Sequence, residues 1–173
     1  DGKQTKTVAF KVLPDPRIVA TAKDYEDQHL LASKVEAGIN EIHKSVANMR
    51  KLNKQLSDLQ EQLSDTTKYK AIREQSAKVQ KTLAKWEEAL VQTKSQSNDD
   101  VINYINKLSA DYVFLKGELD ANIPYVTNAQ LERYAELDQL WQPLKKQMQD
   151  LVNKDVAEIN KLCKDQTVNK III

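Results

Sequence analysis

The sequence predicts an all-α fold, an antiparallel up-down-up-down bundle of four long, coiled-coil-like helices. Apolar residues recur every three or four positions along four successive segments, and short stretches rich in turn and capping residues separate these segments. Because side chains three and four positions apart share one helix face, each segment carries a single apolar stripe. Packing the four stripes together would remove them from water.

We expect helices over residues 21–64, 67–94, 99–121 and 127–163, in a single domain covering residues 1–173. The first stripe consists of Val35, Ile39, Ile42, Val46, Met49, Leu52, Leu56, Leu59 and Leu63. The second consists of Ile72, Val79, Leu83, Trp86 and Leu90, with the polar residue Ser76 among them. The third is formed by Val101, Ile105, Leu108, Tyr112, Leu115 and Leu119, and the fourth by Leu131, Tyr134, Leu137, Trp141, Leu144, Met148 and Leu151.

Two helix starts carry capping signals. Thr21 is followed by Asp24 three residues later, and Thr127 is followed by Gln130 at the same spacing. In a capping box, the side chain of the first residue accepts a hydrogen bond from a free backbone N–H of the helix, and the side chain three residues later accepts one from the backbone N–H of the first residue. Pro124 precedes the second box and prevents the third helix from continuing into the fourth.

The other boundaries are marked by polar runs and by a proline. Residues 64–67 and 95–100 supply the side-chain oxygens that favour turns and helix starts. Pro143 removes a backbone donor within the fourth stripe and predicts a kink or a break there. Lys154 and Asp155 predict a second interruption before a short apolar piece.

The two ends of the chain favour β structure. Residues 1–20 form a predicted strand followed by a proline-containing lead-in, and residues 164–173 form a tail. An even number of antiparallel helices would bring both ends together, so we hypothesise that they pair in a small β-ribbon; the alternative is that both ends fray. The residues that motivate the ribbon are Val8, Phe10 and Val12, which alternate with less apolar residues, and Ile171, Ile172 and Ile173.

Charge and composition exclude several classes of partner. The 26 basic and 25 acidic residues give a formal net charge of +1, which argues against binding to nucleic acid. No segment reaches the roughly twenty apolar residues needed for a membrane span. Cys163 is the single cysteine, so it cannot form an internal disulfide. The densest basic stretch is better explained as a solvated helix face than as a phosphate site, and it contains Lys44, Arg50, Lys51 and Lys54.

A metal site has little support. Glu26 and His29 form a Glu-x-x-His pair, the spacing found in di-iron bundles, but such bundles need a second pair. His43 has Asn40 at the matching position. About fourteen residues separate the two histidines, or roughly 21 Å along one helix, which precludes a shared ion.

Catalytic signals are also missing, so we assign no catalytic, cofactor-binding or metal-binding residue. The sequence has no Gly-rich phosphate loop and no nucleophile elbow. The acidic residues of the first helix are interpreted as its wet face; they are Asp24, Glu26, Asp27, Glu36 and Glu41. Four aromatic residues are compatible with a ligand pocket, although their stripe positions favour core packing; they are Trp86, Trp141, Tyr112 and Tyr134.

Two stretches carry short motifs that match a known family. The first comprises Asp1, Gly2, residues 8–12, Asp15, Pro16 and Arg17. The second comprises Ile123, Pro124, Thr127, Asn128, Ala129, Gln130, Ile159 and Asn160. Together they resemble the C-terminal helical domain of sortilin-like or BNR (Asp-box) repeat, glycosyl-hydrolase-like β-propeller proteins: the first stretch resembles the junction where the propeller passes into that domain, and the second its closing helix. In this chain Tyr125 and Val126 stand between the proline and the threonine, which departs from the family pattern.

The resemblance implies a non-catalytic appendage of a larger, secreted protein, located in a periplasm or outside the cell. Any glycosyl-hydrolase-like activity would belong to the propeller, and none of the family's Asp-box residues occurs in these 173 positions. The chain begins at Asp1 without a methionine, and we therefore expect it to be a fragment whose targeting segment lies elsewhere. Its partner would be its own upstream propeller or another protein.

The leading hypothesis is thus a structural or interaction module that is monomeric and binds no cofactor. A first helix of about 60 Å outreaches a second of about 40 Å, so part of it needs another cover. The fourth helix, the ribbon or an upstream domain would provide it, with Tyr25, Leu30 and Leu31 as contact residues. The alternatives are a self-associating coiled coil and, with less support, a ligand-binding or catalytic helical bundle.

Overall fold

The computed structural model describes residues 2, 5–121 and 124–172, with the backbone alone at 98 and 101. Helix α1 spans Ala22–Gln62 and starts at the predicted capping box. Asp24 N donates to Thr21 Oγ1 at 3.2 Å, and the Asp24 carboxylate accepts from Thr21 N at 2.7 Å. At the far end, the Arg73 guanidinium donates to the carbonyls of Gln60 (2.6 Å) and Leu63 (3.1 Å). These carbonyls belong to the last turn, where intrahelical partners run out.

Helix α2 spans Lys70–Leu90, several residues shorter at each end than the predicted 67–94. The Asp65 carboxylate accepts from the backbone N–H groups of Thr67 and Lys68, at 3.1 and 2.9 Å. Residues 66–69 form a turn, and α2 begins only after it. At the other end Val91 is extended and stops it.

The predicted third helix, 99–121, is wrong in its first half. A 3₁₀ helix spans Asn98–Ile102, and α3 spans Leu108–Asp120. The Asp100 carboxylate accepts from the backbone N–H groups of Gln96 and Ser97, at 2.6 and 3.0 Å, and closes a short capped turn. Ile105, an expected stripe residue, is 86% exposed in the loop that follows, and the side chain of Val101 lies outside the described residues.

Helix α4 spans Asn128–Asp150 and starts at the predicted capping box, with Gln130 N donating to Thr127 Oγ1 at 3.2 Å. A π-helical segment, Leu151–Val156, and helix α5, Ala157–Asp165, continue it without a loop. Of the kink or break predicted at Pro143, the break is wrong, because α4 runs through that exposed residue. At the interruption predicted at Lys154 and Asp155, the helix changes to π geometry and continues into α5.

The direction of α2 follows from its contacts with α1. Arg73, near the start of α2, reaches the end of α1. Glu87, near the end of α2, pairs with Arg50 at 2.6 Å, well back along α1. Helix α2 therefore runs antiparallel to α1 and covers its C-terminal half.

Helix α3 continues in the same direction. His43 Nε2 lies 2.7 Å from the hydroxyl of Ser109 at the start of α3, and Gln28 donates to the Leu119 carbonyl near its end at 2.5 Å. Since α3 thus covers the N-terminal half of α1, it provides the cover that we expected from the fourth helix, the ribbon or an upstream domain. Leu31, an expected contact residue for an upstream domain, is 4% exposed and belongs to the core.

The all-α helical bundle is confirmed, but the order of helix directions is up-down-down-up. Helix α1 is the first rod, α2 and α3 placed end to end are the second, and α4 through α5 is the third. The third rod runs parallel to α1. Its earlier residue Lys145 pairs with Glu41 at 2.5 Å, and the tail that follows α5 contacts Gln55, which lies farther along α1. Lys78 of the second rod pairs with Asp155 of the third at 3.2 Å.

One continuous apolar core runs between the three rods. It contains most of the predicted stripe residues. Ser76 lies fully buried in it, and its hydroxyl has no hydrogen-bond partner in the described part of the chain. The largest side chains with under 2% exposure are Trp141, Tyr112, Ile42, Leu52, Leu56, Ile72, Leu90, Leu119, Leu137 and Ile159.

The predicted β-ribbon is wrong for the residues that the structure describes, none of which forms a strand; Ile173 lies outside them. The up-down-down-up order is the reason, because it leaves the two ends of the chain far apart. Residues 5–14 precede the start of α1, whereas Ile171 packs in the core at 5% exposure and Ile172 contacts Gln55. Along α1, Gln55 lies roughly 50 Å from the start of the helix.

Candidate functional site

Three of the four aromatic residues singled out from the sequence meet where α1, α3 and α4 come together. Gly38 of α1 lies against the ring of Tyr112, and a Cβ atom at position 38 would be 2.6 Å from Tyr112 Cε1. The glycine therefore lets the ring pack directly against the α1 backbone. Trp141 and Tyr112 are each 1% exposed, and Tyr134 is half-buried.

A carboxylate lies at the edge of this cluster. Trp141 Nε1 donates to Glu41 Oε2 at 2.8 Å, and Lys145 Nζ lies 2.5 Å from Glu41 Oε1. The hydrogen bond from Lys145, and then that from Trp141, hold the pKa of Glu41 below its usual value. Both carboxylate oxygens have partners, so at neutral pH Glu41 acts as an acceptor that positions Trp141.

An open cleft of about 400 Å³ lies over the cluster. Burial raises the pKa values of Tyr112 and Tyr134, so both phenols are neutral at physiological pH. The cleft is lined by Lys34, Ala37, Gly38, Glu41, Tyr112, Tyr134, Asp138, Trp141 and Gln142. The Tyr112 ring packs against the α1 backbone at Gly38 and the Trp141 ring is buried, which agrees with the core-packing interpretation of these two residues. Trp86 lies elsewhere in the core at 2% exposure, and its Nε1 donates to the Leu144 carbonyl at 2.8 Å.

His43 and Ser109 form a pair that the sequence reasoning missed. The 2.7 Å between His43 Nε2 and Ser109 Oγ is the spacing of a base and a nucleophile. A triad would also need a carboxylate on the other ring nitrogen, and no described hydrogen bond supplies one. The two residues are 66 positions apart, so no local motif could have indicated the contact, which joins α1 to α3.

The residues considered for a metal do not come together. Glu26 and His29 are exposed on α1, and His43 contacts Ser109 instead. Within the described ranges, no three histidine, cysteine or carboxylate side chains are grouped as a metal site requires. Cys163 is buried, and burial raises the pKa of its thiol.

The predicted basic stretch is a paired helix face. Lys54 Nζ lies 2.9 Å from a carboxylate oxygen of Asp58, one turn along α1, and Arg50 pairs with Glu87 of α2 at 2.6 Å. These ion pairs satisfy two of the four cations within the protein. All five acidic residues assigned to the wet face of α1 are exposed or half-buried, as expected.

The second candidate surface is the N-terminal segment, residues 5–14. It forms no helix, turn or strand, and its alternating apolar side chains are all in solvent: Val8 is 78% exposed, Phe10 85% and Val12 81%. No backbone hydrogen bond joins these residues to any other described residue. The segment therefore combines a strand-like sequence with unpaired backbone donors and acceptors.

The base of the N-terminal segment is held in place. The Asp15 carboxylate accepts from Arg17 N at 2.9 Å and from the Arg17 guanidinium at 2.6 Å, and Ile18 N donates to the Asp15 carbonyl at 3.0 Å. The Tyr125 hydroxyl donates to the Val19 carbonyl and ties this turn to the residues that precede α4. The segment thus leaves the bundle in a direction set by a closed turn.

An apolar cavity of about 520 Å³ lies at the base of the N-terminal segment. Its walls come from both the segment and the first turn of α1: Val12, Leu13, Pro14, Ala20, Ala22 and Tyr25. Tyr25, an expected contact residue, is half-buried here, whereas Leu30, another, is 54% exposed and lines a different cavity, with Val126 and Leu131.

Comparisons of the chain with models of protein families, with curated proteins and with solved structures gave no match. Among the helices in the described ranges, none combines the length and the apolar character that crossing a membrane requires.

Proposed function

We propose that this chain is a non-catalytic interaction module that attaches to a β-rich domain through its N-terminal segment. The observation that carries the proposal is that the alternating apolar residues Val8, Phe10 and Val12 are exposed on a backbone without hydrogen bonds to other described residues. Such a segment adds readily to the edge of a sheet, where its main chain supplies the hydrogen bonds and its alternate side chains fill pockets. The closed turn at Asp15 and Arg17 would fix the angle between the two partners.

The resemblance to sortilin-like and BNR repeat proteins supplies the identity of the partner. On that basis, the β-rich domain is a propeller that precedes this module in the same polypeptide, and the protein acts in a periplasm or outside the cell. Any glycosyl-hydrolase-like chemistry would be performed by the propeller. The helical bundle would serve as a rigid appendage, since Glu41 is paired with Lys145 and Trp141, and the Tyr112 and Trp141 rings are buried in the core.

Hydrogen exchange of the natural polypeptide, compared with the isolated 173-residue chain, tests the attachment. We expect the amides of residues 5–14 to exchange at the unprotected rate in the isolated chain and at least a hundredfold more slowly in the natural polypeptide. The exposed loop residues Ile105 and Asn106 serve as the internal control and should exchange equally fast in both. Equal, unprotected exchange of residues 5–14 in both proteins would contradict the proposal.

A matched pair of variants separates the N-terminal segment from apolar exposure in general. Phe10→Ser removes an exposed aromatic residue of the segment, and Phe114→Ser removes one from α3 that is 71% exposed. In the natural polypeptide, Phe10→Ser should restore fast exchange to residues 5–14, whereas Phe114→Ser should not. A natural polypeptide with the 19.8 kDa mass of this chain would rule out the covalent propeller.

Self-association is the second candidate. Apolar side chains are exposed on the outer faces of α3 and α4, where Val113 is 49%, Phe114 71% and Leu140 57% exposed. These residues could join the bundles of two copies through a narrow apolar seam. Light scattering over a wide concentration range distinguishes this candidate from the monomeric module.

A further inference from the structure

Two side-chain amides hold the C-terminal tail, and each binds the main chain of one residue. Asn160 of α5 accepts from Ile171 N at 2.7 Å and donates to the Ile171 carbonyl at 3.1 Å. Gln55 of α1 accepts from Ile172 N at 3.0 Å and donates to the Ile172 carbonyl at 2.7 Å. Two consecutive residues thus have both backbone groups bound by amides from two different helices.

The same groove has a socket for a side chain. Ile171 is 5% exposed and belongs to the core cluster, whereas Ile172 is 67% exposed. A main-chain clamp with one apolar socket is the arrangement that peptide-binding grooves use. The backbone bonds hold any extended sequence, and the socket selects one side chain.

Open space flanks the tail on both sides. A cavity of about 550 Å³ lies on the α5 side of the tail, and one of about 170 Å³ lies on the α1 side. Asn169 and Lys170 line both cavities, so the tail passes between them and forms a wall of each.

We propose that the groove between α1 and α5, with Gln55 and Asn160 as its clamp, is a peptide-binding site. Its ligand is an extended polypeptide segment of another protein that presents a β-branched apolar residue, and the tail of this chain occupies the site in cis. The amides read the main chain, while the socket now filled by Ile171 selects isoleucine or valine. This inference is independent of the N-terminal attachment proposed above, because the two surfaces lie at opposite ends of α1.

To empty the site, we would substitute Ile171→Asp in the full chain. An unpaired carboxylate in the apolar socket is unfavourable, so the tail should leave the groove. The probe is a fluorescent hexapeptide with the sequence of residues 167–172, and binding is followed by anisotropy. We expect saturable binding to the variant chain. The intact chain should bind roughly tenfold or more weakly, because its tethered tail competes at an effective concentration in the millimolar range. A peptide with aspartate at the socket position should also bind tenfold or more weakly.

Clamp and control substitutions identify where the peptide binds. In the Ile171→Asp chain, Gln55→Leu removes two hydrogen bonds and should lower the affinity roughly fivefold or more. Gln139→Leu changes an exposed amide on α4 and should leave the affinity unchanged. Absence of saturable binding to a folded variant, equal binding of the two peptides, or equal effects of the two leucine substitutions would overturn the proposal.

If Ile171→Asp prevents folding, the intact chain still decides the matter. The peptide at millimolar concentration should displace the tail, and the amide NMR signals of Ile171 and Ile172 should then move to the positions of an unstructured segment. Signals that stay in place at these concentrations would refute the proposed site.

Discussion

The close approach of α1 and α3 at Gly38 predicts opposite effects for two glycine substitutions. Gly38→Ala places a methyl group 2.6 Å from Tyr112 Cε1, well inside van der Waals contact. Gly117→Ala, on the exposed face of α3, meets no atom within 4 Å. Both glycines lie within helices, so both substitutions should gain the same intrinsic helix propensity, about 0.8–1.0 kcal/mol.

The packing cost at Gly38 sets the difference between the two variants. Tyr112 is 1% exposed and packed between helices, so its ring cannot move aside without disturbing the core. Overpacking of this kind costs about 1–3 kcal/mol. We therefore expect Gly117→Ala to raise the free energy of unfolding by about 1 kcal/mol and Gly38→Ala to lower it by up to about 2 kcal/mol.

Urea denaturation followed by circular dichroism measures both variants under identical conditions. With a slope of about 1–3 kcal/mol per molar urea, a difference of 1–3 kcal/mol separates the two midpoints measurably. Tyr112→Leu in the Gly38→Ala background should recover part of the loss, since it removes the ring that the methyl group meets. If Gly38→Ala stabilised the protein as much as Gly117→Ala does, the tight contact between α1 and α3 would be refuted.

Three further predictions concern the core, the carboxylate and the assembly. Ser76→Ala removes a buried hydroxyl that has no described partner and should raise the free energy of unfolding by about 1–3 kcal/mol, well above the gain from the exposed control Ser33→Ala in the same urea assay. Glu41→Gln keeps an acceptor for Trp141 and should cost under about 1 kcal/mol at pH 7, whereas Glu41→Leu leaves the indole N–H unpaired and should cost about 1–3 kcal/mol more. Folding lowers the pKa of Glu41, so the stabilisation that its carboxylate provides is complete above the usual pKa of 4.5 and is lost as the pH falls through the lowered value. The difference in free energy of unfolding between the natural chain and Glu41→Gln should therefore shrink in acid. A constant difference from pH 7 to pH 3 would argue against the Lys145 pairing. Light scattering after size exclusion should give the 19.8 kDa monomer at every concentration, and a mass that rises with concentration would favour the coiled-coil assembly instead.

Helix positions were accessible from the sequence because their signals are local. The capping boxes at Thr21 and Thr127 lie within four residues, and the apolar stripes repeat within one or two turns. The prediction for the first half of the third helix was wrong, again because of a local interaction. There the Asp100 carboxylate accepts hydrogen bonds from the backbone N–H groups of residues 96 and 97, and this capped turn prevails over the weak apolar periodicity.

Helix directions were not accessible, because they depend on the loop between α2 and α3. Residues 91–107 carry the chain onward along α1 instead of reversing it, and no motif in that stretch specifies this choice. The wrong helix directions also led to the wrong prediction for the chain ends. Because α2 and α3 lie end to end, the two termini lie far apart and cannot pair in a ribbon. The same limit applies to the pairs His43–Ser109 and Asn160–Ile171, which arise from packing and leave no spacing signal.

The placement of the chain ends has a mechanical consequence. Any domain joined before α1 and any molecule bound at the tail would be held roughly 50 Å apart by helices that lie side by side along the line between them. A pulling force applied at these two points acts along the helix axes, so the rods resist it in shear, with the interdigitated side chains of the whole core loaded at once. Under such a load the bundle would act as a stiff spacer between its two ends.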